Sequence, residues 1–307
     1  MEPKHLLTLR PYSSDEIKSL LTFAAAIKSE PEKYTSALTG KTLAMLFQKR
    51  STRTRVSFEV GMLQLGGRPL FLSGDDLQLG RGETIGDTAR VLSRYVDGIM
   101  ARVYGHDSIE ELAANATVPV INGLSDWSHP CQILADYQTI QELYGEDLTG
   151  RKLVYVGDAN NVYRSLVFGG IKLGVHVAIA APAEFQPDPS FIESVRDEAQ
   201  RTGSRVEVFA DPQEAVTGAD VIYTDVWTSM GQEEEQEHRR KVFAPYQVNA
   251  KLMAVAGPQA KFMHCLPAHR GEEVTSEVAD SPASVIFDQA ENRLHAQKAV
   301  LVRLLGE

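Results

Sequence analysis

Cysteine is scarce in this chain: Cys131 and Cys265 are the only two in 307 residues, and no CxxC pair occurs. Neither a disulfide framework nor a cysteine zinc cluster is supported, and a reducing cytoplasm is the expected setting. Long apolar runs are missing as well, none approaching the roughly 20 residues that span a bilayer. The start, MEPKHLLTLRPYSSDEIKSLL, lacks the continuous apolar region of a signal peptide and leads into an amphipathic helix, so a cytosolic protein is expected. Positive charge is in deficit, with 31 Lys and Arg against 41 Asp and Glu, a formal net charge of −10. That balance argues against a nucleic-acid or acidic-membrane surface and requires any anion site to be a local concentration of arginine. What remains is an ordinary globular composition, 43% hydrophobic and 23% charged, on a chain long enough for two domains with sizeable cores.

The most informative stretch is Phe47–Glu59, FQKRSTRTRVSFE. The apolar run Leu43–Phe47 reads as a buried strand, and hydroxyls and cations then crowd together from Lys49 to Arg55. Val56, Val60 and Leu63 keep helical spacing up to Gly66-Gly67, which puts Ser51 or Thr52 at the N-cap. Free N–H groups, the positive end of the helix dipole, the hydroxyls of Ser51, Thr52 and Thr54 and a guanidinium would converge there on a small anion such as phosphate. Arg53 and Arg55 are two apart and face different ways, so Arg53 is the candidate for the ligand while Arg55 packs or pairs. From these residues alone, a capped helix start with solvated arginines competes equally.

Ser13-Ser14-Asp15-Glu16 caps a first helix whose apolar face is Ile17, Leu20, Leu21 and Ala24. Strands near 41–47, 69–72, 97–103 and 118–122 alternate with helical segments near 52–65, 84–95 and 108–114, which favours a doubly wound parallel sheet. Arg102 closes the third strand, a poor place for the core but a good one for an anion at the sheet edge. In Asp126–Gln132, Pro130 suits a first helical turn, so His129 stands at the helix start and Gln132 on a nearby face. A neutral imidazole can donate to an oxyanion, and an amide can serve one small ligand as both donor and acceptor. Helix 130–144 is expected to link two domains, with the boundary near Gly145–Arg151.

A second β/α series begins at Lys152. Gly157-Asp158-Ala159-Asn160-Asn161-Val162 follows its first strand and admits a dinucleotide-linked dehydrogenase, but the later glycines of G-x-G-x-x-G are missing. Two amides at a helix N-terminus suit a carboxylate or zwitterion instead. Strand 221–224 ends in Asp225, whose carboxylate needs a cation if buried. The run EEEQEHRRK over 233–241 reads as a solvated helix with Glu235–Arg239 and Glu237–Lys241 pairs and no chemistry. Lys261–Cys265 is the last core strand. A metal reading of His264, Cys265 and His269 is weak because the first two alternate across the strand, and a buried inert thiol remains open for Cys265.

Four segments in order, Ser51–Glu59, His129-Pro130-Cys131-Gln132, Asp225–Gly231 (DVWTSMG) and His264-Cys265-Leu266-Pro267, resemble the aspartate/ornithine carbamoyltransferase family on its ornithine side, over almost the whole chain. The resemblance implies an α/β fold of two doubly wound parallel-sheet domains joined by interdomain helices. Residues 1–145 with a C-terminal helix 290–307 would bind carbamoyl phosphate, and 146–289 would bind ornithine. It implies transfer of the carbamoyl group to the δ-amine of ornithine in arginine biosynthesis, with no metal and no cofactor. By the same likeness Ser51, Thr52, Arg53, Thr54, Arg102, His129, Gln132, Arg293, Cys265 and the Leu266 backbone meet carbamoyl phosphate, with Gln78 supplied by a neighbouring subunit of a homotrimer. Asn161, Asp225, Ser229 and Met230 would hold ornithine, Cys265 its δ-amine, and Arg53, Arg102, His129 and Cys265 would be catalytic. Putrescine and N-acetylornithine are alternative acceptors, and a non-catalytic binding protein on the same fold is the reading outside enzymes. The His269–Glu273 segment, HRGEE, leans toward biosynthetic relatives.

Overall fold

The computed structural model describes residues 5–74, 82–228 and 233–306. Gln78, Ser229 and Met230 lie outside the described residues. The chain divides into two compact units, Met1–Gln138 with Glu291–Glu307, and Thr139–Ala290.

In the first unit, helix α1 (Ser14–Ser29) opens on a capping box in which Ser13 and Glu16 satisfy each other's backbone N–H groups. Strands β1 (Thr42–Phe47), β2 (Arg68–Ser73), β3 (Gly98–Arg102) and β4 (Val120–Leu124) form one sheet in the order β2-β1-β3-β4, every pairing parallel. Helices α2 (Thr52–Gln64), α3 (Ile85–Leu92), α4 (His106–Asn115) and α5 (Pro130–Tyr144) follow the four strands in turn, the crossover pattern that parallel neighbours demand. The strands are apolar nearly throughout because both faces are covered, as in β1 with Leu43, Ala44, Met45, Leu46 and Phe47 all buried. One core cluster joins Ala44, Leu46, Ile99, Ala101 and Val120 of the sheet to Ala89, Ile109 and Leu112 of the helices.

The buried side of α2 is not the stripe of Val56, Val60 and Leu63 that marks its helical spacing. Val56 and Leu63 are exposed at 49% and 63%, while Thr54, Phe58, Gly61 and Met62 are buried. Both sets keep helical spacing, and the sheet selects the one that carries Phe58 and Met62, which follow the cap at Ser51 by whole turns.

In the second unit, β5 (Lys152–Val156), α6 (Asn161–Lys172), β6 (His176–Ala180), α7 (Pro189–Arg201), β7 (Val206–Phe209), α8 (Pro212–Val216) and β8 (Val221–Thr224) precede α9 (Gln236–Phe243), α10 (Ala250–Ala256), β9 (Lys261–His264) and α11 (Ser276–Ala279). The sheet runs β7-β6-β5-β8-β9, again wholly parallel. Order reverses at β5, so the loops after β5 and β8 open side by side, the crevice in which open α/β sheets bind ligands. Helix α7 is absent from the expectations above, although Asp188 at its cap and Pro189 in its first turn are ordinary start signals. Helix α12 (Ile286–Leu305) and α5 each contain a division between the units, at Ala290–Glu291 and Gln138–Thr139.

Candidate active site

In the first unit, Ser51 is the N-cap of α2 and its hydroxyl accepts from the Thr54 N–H at 3.3 Å. That contact turns the buried Thr54 hydroxyl toward the C-terminal edge of the sheet. There Thr54 Oγ1 accepts from Ser51 Oγ (3.1 Å), from Arg293 on α12 (3.3 Å) and from Arg102 at the end of β3 (3.4 Å). Arg102 is aimed by an irregularity: the β3–β4 register slips by one between Ala101 and Arg102, so Gly123 is the unmatched residue. A Cβ at Gly123 would lie 2.7 Å from Met100 Sδ, so a side chain here would force Met100 to shift. Arg293 also donates to Gln132 Oε1 at 2.6 Å, and Gln132 donates to Asp136 Oδ1 at 2.8 Å. Arg102, His129, Gln132 and Arg293 are all buried.

Burial, followed by the positive charges of Arg293, Arg102 and Arg53, pushes His129 well below the ordinary histidine range. The imidazole is therefore neutral, able to donate a hydrogen bond without bringing a further cation. Arg55 pairs with Glu59 (3.3 Å) and stacks over Phe71 (3.7 Å), while Arg53 lies close enough to His129 to depress its proton affinity. Thr52 is exposed in the first turn of α2. Cys131 is a buried thiol pushed up to about 12 by desolvation, an inert packing group.

The second unit collects the opposite charge. Gly157 ends β5 at φ 148°, a conformation open to glycine, and Asn160 then caps α6, its Oδ1 accepting from the N–H groups of Val162 (2.9 Å) and Tyr163 (3.2 Å). Those amides are taken, so the helix start offers no nest for a pyrophosphate and the dehydrogenase reading loses its site. Asn161 follows in the first turn of α6, half-buried. Asn160 Nδ2 donates to Asp225 Oδ2 (3.3 Å), and Asp225 Oδ1 accepts from Cys265 Sγ (3.1 Å) and the Val226 N–H (2.8 Å). Asn160, Asp225 and Cys265 are thus one cluster built from the ends of β5, β8 and β9.

After Cys265 the chain turns through Leu266, at φ 59°, into a cis peptide with Pro267. The Leu266 N–H donates to His264 Nδ1 (2.8 Å), and His264 Nε2 faces the buried Glu273 carboxylate (3.2 Å). Asp225, His264 and Cys265 offer ligand atoms within 4.8 Å of one another. Both histidine nitrogens are already committed, and the trio does not make a vacant metal cradle.

One expectation is corrected here. Arg239 lies in the charged run read as solvated, and its pair with Glu235 is present at 2.9 Å, as is Glu237–Lys241. Yet Arg239 is buried: it donates to Asp158 Oδ2 (2.7 Å) and to the Trp227 carbonyl (3.0 Å) and stacks over Phe185 (4.6 Å). It ties the loop after β5 to the loop after β8. Four-residue spacing displayed the local pair, but nothing local announced a partner 81 residues away.

Two family models match the chain: "Aspartate/ornithine carbamoyltransferase, carbamoyl-P binding domain" over residues 4–142 and "Aspartate/ornithine carbamoyltransferase, Asp/Orn binding domain" over 149–304. The chain belongs to the aspartate/ornithine carbamoyltransferase family. The ornithine carbamoyltransferase of Thermococcus kodakarensis is 59% identical over 305 residues, covering 99% of this chain and 96% of the relative. The anabolic ornithine carbamoyltransferase of Pyrococcus furiosus is likewise 59% identical over 305 residues, at the same coverage. Among solved structures, the ornithine carbamoyltransferase from Pyrococcus furiosus superposes with a TM-score of 0.94 at 59% identity, covering 98% of this chain and 96% of that one. That from Gloeobacter violaceus gives 0.89 at 47%, covering 99% of each. The carbamoyltransferase fold of two parallel α/β domains is thereby established for the chain. Among the described residues no helix is long and apolar enough to cross a membrane.

Proposed function

We propose that this carbamoyltransferase acts on ornithine, moving the carbamoyl group of carbamoyl phosphate to the δ-amine of L-ornithine and releasing L-citrulline and phosphate, a step of arginine biosynthesis. The observation that carries the reading is the convergence of Ser51, Arg102 and Arg293 on Thr54 Oγ1 beside a neutral His129. Such a cluster suits a phosphorylated carbonyl compound, because it combines cations for the leaving group with a neutral donor for the carbonyl oxygen.

Carbamoyl phosphate is an activated acyl donor, so attack needs only an uncharged amine, a polarised carbonyl and a held leaving group. Ser51, Thr52, Arg53 and Thr54 bind the phosphate, with Gln78 from a neighbouring subunit of a homotrimer. Arg102 and His129 stabilise the tetrahedral oxyanion, and Gln132 with the Leu266 backbone orients the carbamoyl NH2, Arg293 holding Gln132. Asp225 pairs with the α-ammonium of ornithine and Asn161 binds its carboxylate or amino group, with Ser229 and Met230 as further contacts. Cys265 receives the δ-amine. That amine has an unperturbed pKa near that of lysine, about 10.4, and must shed a proton before attack, which desolvation of the bound amine favours. The amine lone pair bonds to the carbonyl carbon, the intermediate collapses with cleavage of the C–O bond to phosphate, and the departing phosphate takes the ammonium proton.

The exposed apolar side chains of α2 and β2, Val56, Leu63 and Leu70, support an assembly that covers them. The reducing setting implied by two free cysteines supports a cytoplasmic enzyme. Citrulline formation from carbamoyl phosphate, read by product mass with ornithine, putrescine, N-acetylornithine and aspartate in parallel, tests the assignment: turnover confined to ornithine is expected. Turnover with another amine would keep the carbamoyl-phosphate roles and overturn those of Asn161 and Asp225.

A further inference from the structure

Gln297, one turn beyond Arg293 on α12, is fully buried and has taken no part in the site so far. Its amide orientation follows from Ser57 on α2. The Ser57 hydroxyl donates its single proton to the Arg53 carbonyl (2.7 Å), so toward Gln297 it can only accept. The Gln297 atom 2.5 Å from Ser57 Oγ is therefore the NH2, and the amide oxygen faces Arg293, accepting from Nε (3.1 Å) and NH2 (2.9 Å). One neutral oxygen thus receives two N–H groups on one edge of the guanidinium, while NH1 is held by Gln132 Oε1 and NH2 also reaches Thr54 Oγ1.

We propose that Gln297, held by Ser57, is the positioning residue for Arg293: it fixes the rotation of the guanidinium without neutralising its charge. This rests on the carbamoyl-phosphate reading of the site. A carboxylate in the same place would orient Arg293 equally well but would cancel the charge that an anionic ligand needs, and an apolar side chain would leave two buried N–H groups unmet. Ser57 belongs to the Ser51–Glu59 motif, and its function here is to dictate which end of the amide faces the arginine.

The test compares Gln297→Leu, Gln297→Glu and Ser57→Ala in the intact enzyme, with citrulline formation and inhibition by inorganic phosphate as readouts. Losing a hydrogen bond to a charged group corresponds to about tenfold in affinity, so Gln297→Leu should raise the KM for carbamoyl phosphate and the phosphate inhibition constant by about that factor. The KM for ornithine at saturating carbamoyl phosphate should stay within about twofold. Gln297→Glu should show the same split. In an Arg293→Met background, Gln297→Leu should add less than about twofold, because there is no guanidinium left to position. An unmoved carbamoyl-phosphate KM, an equal rise in both KM values, or a full further loss in the Arg293→Met background would overturn the proposal. If Gln297→Leu does not fold, Ser57→Ala carries the test: about a threefold rise in the same two constants supports it, and no rise refutes it. Absence of citrulline formation by the unaltered chain would sink the functional reading instead. Calorimetric binding of inorganic phosphate to the unaltered chain and to Gln297→Leu would then still decide whether Gln297 acts on the anion site.

Discussion

The two units solve opposite electrostatic problems. Around Thr54 the first unit gathers guanidiniums and neutral donors, and around Asp225 the second gathers a carboxylate, an amide and a thiol. On the cationic side, crowding is kept tolerable by leaving His129 uncharged, since burial first and then each arginine near it disfavour its proton. On the acidic side, Asp225 receives three hydrogen bonds, and burial raises the Asp158 carboxyl against the counter-pull of Arg239. The neutral groups around Thr54 and His129 thus serve as donors beside the guanidiniums, and those around Asp225 hold one carboxylate in place.

The largest expected effect falls on the cationic side. Arg102→Leu should lower kcat about a thousandfold, the scale of an oxyanion donor in a water-poor site, with the ornithine KM little changed. A loss seen mainly in ornithine KM would dissolve the division of labour. His129→Gln should cost about a hundredfold in kcat. It also carries a pH signature. The native imidazole binds its proton well below 6.5, so below that pH the unfolded chain takes up a proton that the folded chain refuses. His129 therefore contributes stability that is present above about 6.5 and lost as pH falls. The melting-temperature difference between the parent and His129→Gln should shrink from pH 7.5 to pH 5.5; a difference that grows on acidification would contradict a neutral histidine.

On the acidic side, Asp225→Asn should raise the ornithine KM by about ten- to a hundredfold and leave the carbamoyl-phosphate KM near the parent value, since an amide keeps the shape and removes the charge. Steady-state kinetics with each substrate varied in turn checks this. Arg239→Met strips the partner from Asp158 and should cost about 2–4 kcal/mol in denaturant unfolding, toward the lower figure because Asp158 is partly exposed. Smallest of all, Ser13→Ala removes the cap of α1, far from either cluster, and should cost about 1 kcal/mol with kinetics unchanged.

What could be read in advance follows the range of the forces. The cap at Ser51, the capping box at Ser13–Glu16 and the start of α5 at Pro130 are decided within four residues of themselves, and they stand where spacing put them. Helical spacing leaves the buried face of α2 open, because two sets of residues fit the same period and only the sheet chooses between them. Arg239 and Gln297 were silent for a related reason. An arginine in a charged run and a glutamine on an amphipathic helix acquire meaning from Asp158, Trp227, Ser57 and Arg293, and in three of those four cases the partner is more than ten residues distant.

The sequence alone determined the alternation of strand and helix, the parallel α/β class, the deficit of positive charge that makes any arginine cluster meaningful, and the motifs that mark the family. Periodicity, caps and composition are local or additive, and each is complete in the string of residues. The tertiary structure decided which hydroxyl three donors share, which histidine is kept neutral, which way the Gln297 amide points and which cation is buried. Those depend on desolvation and on distances between segments that only the closed sheets and packed helices bring together.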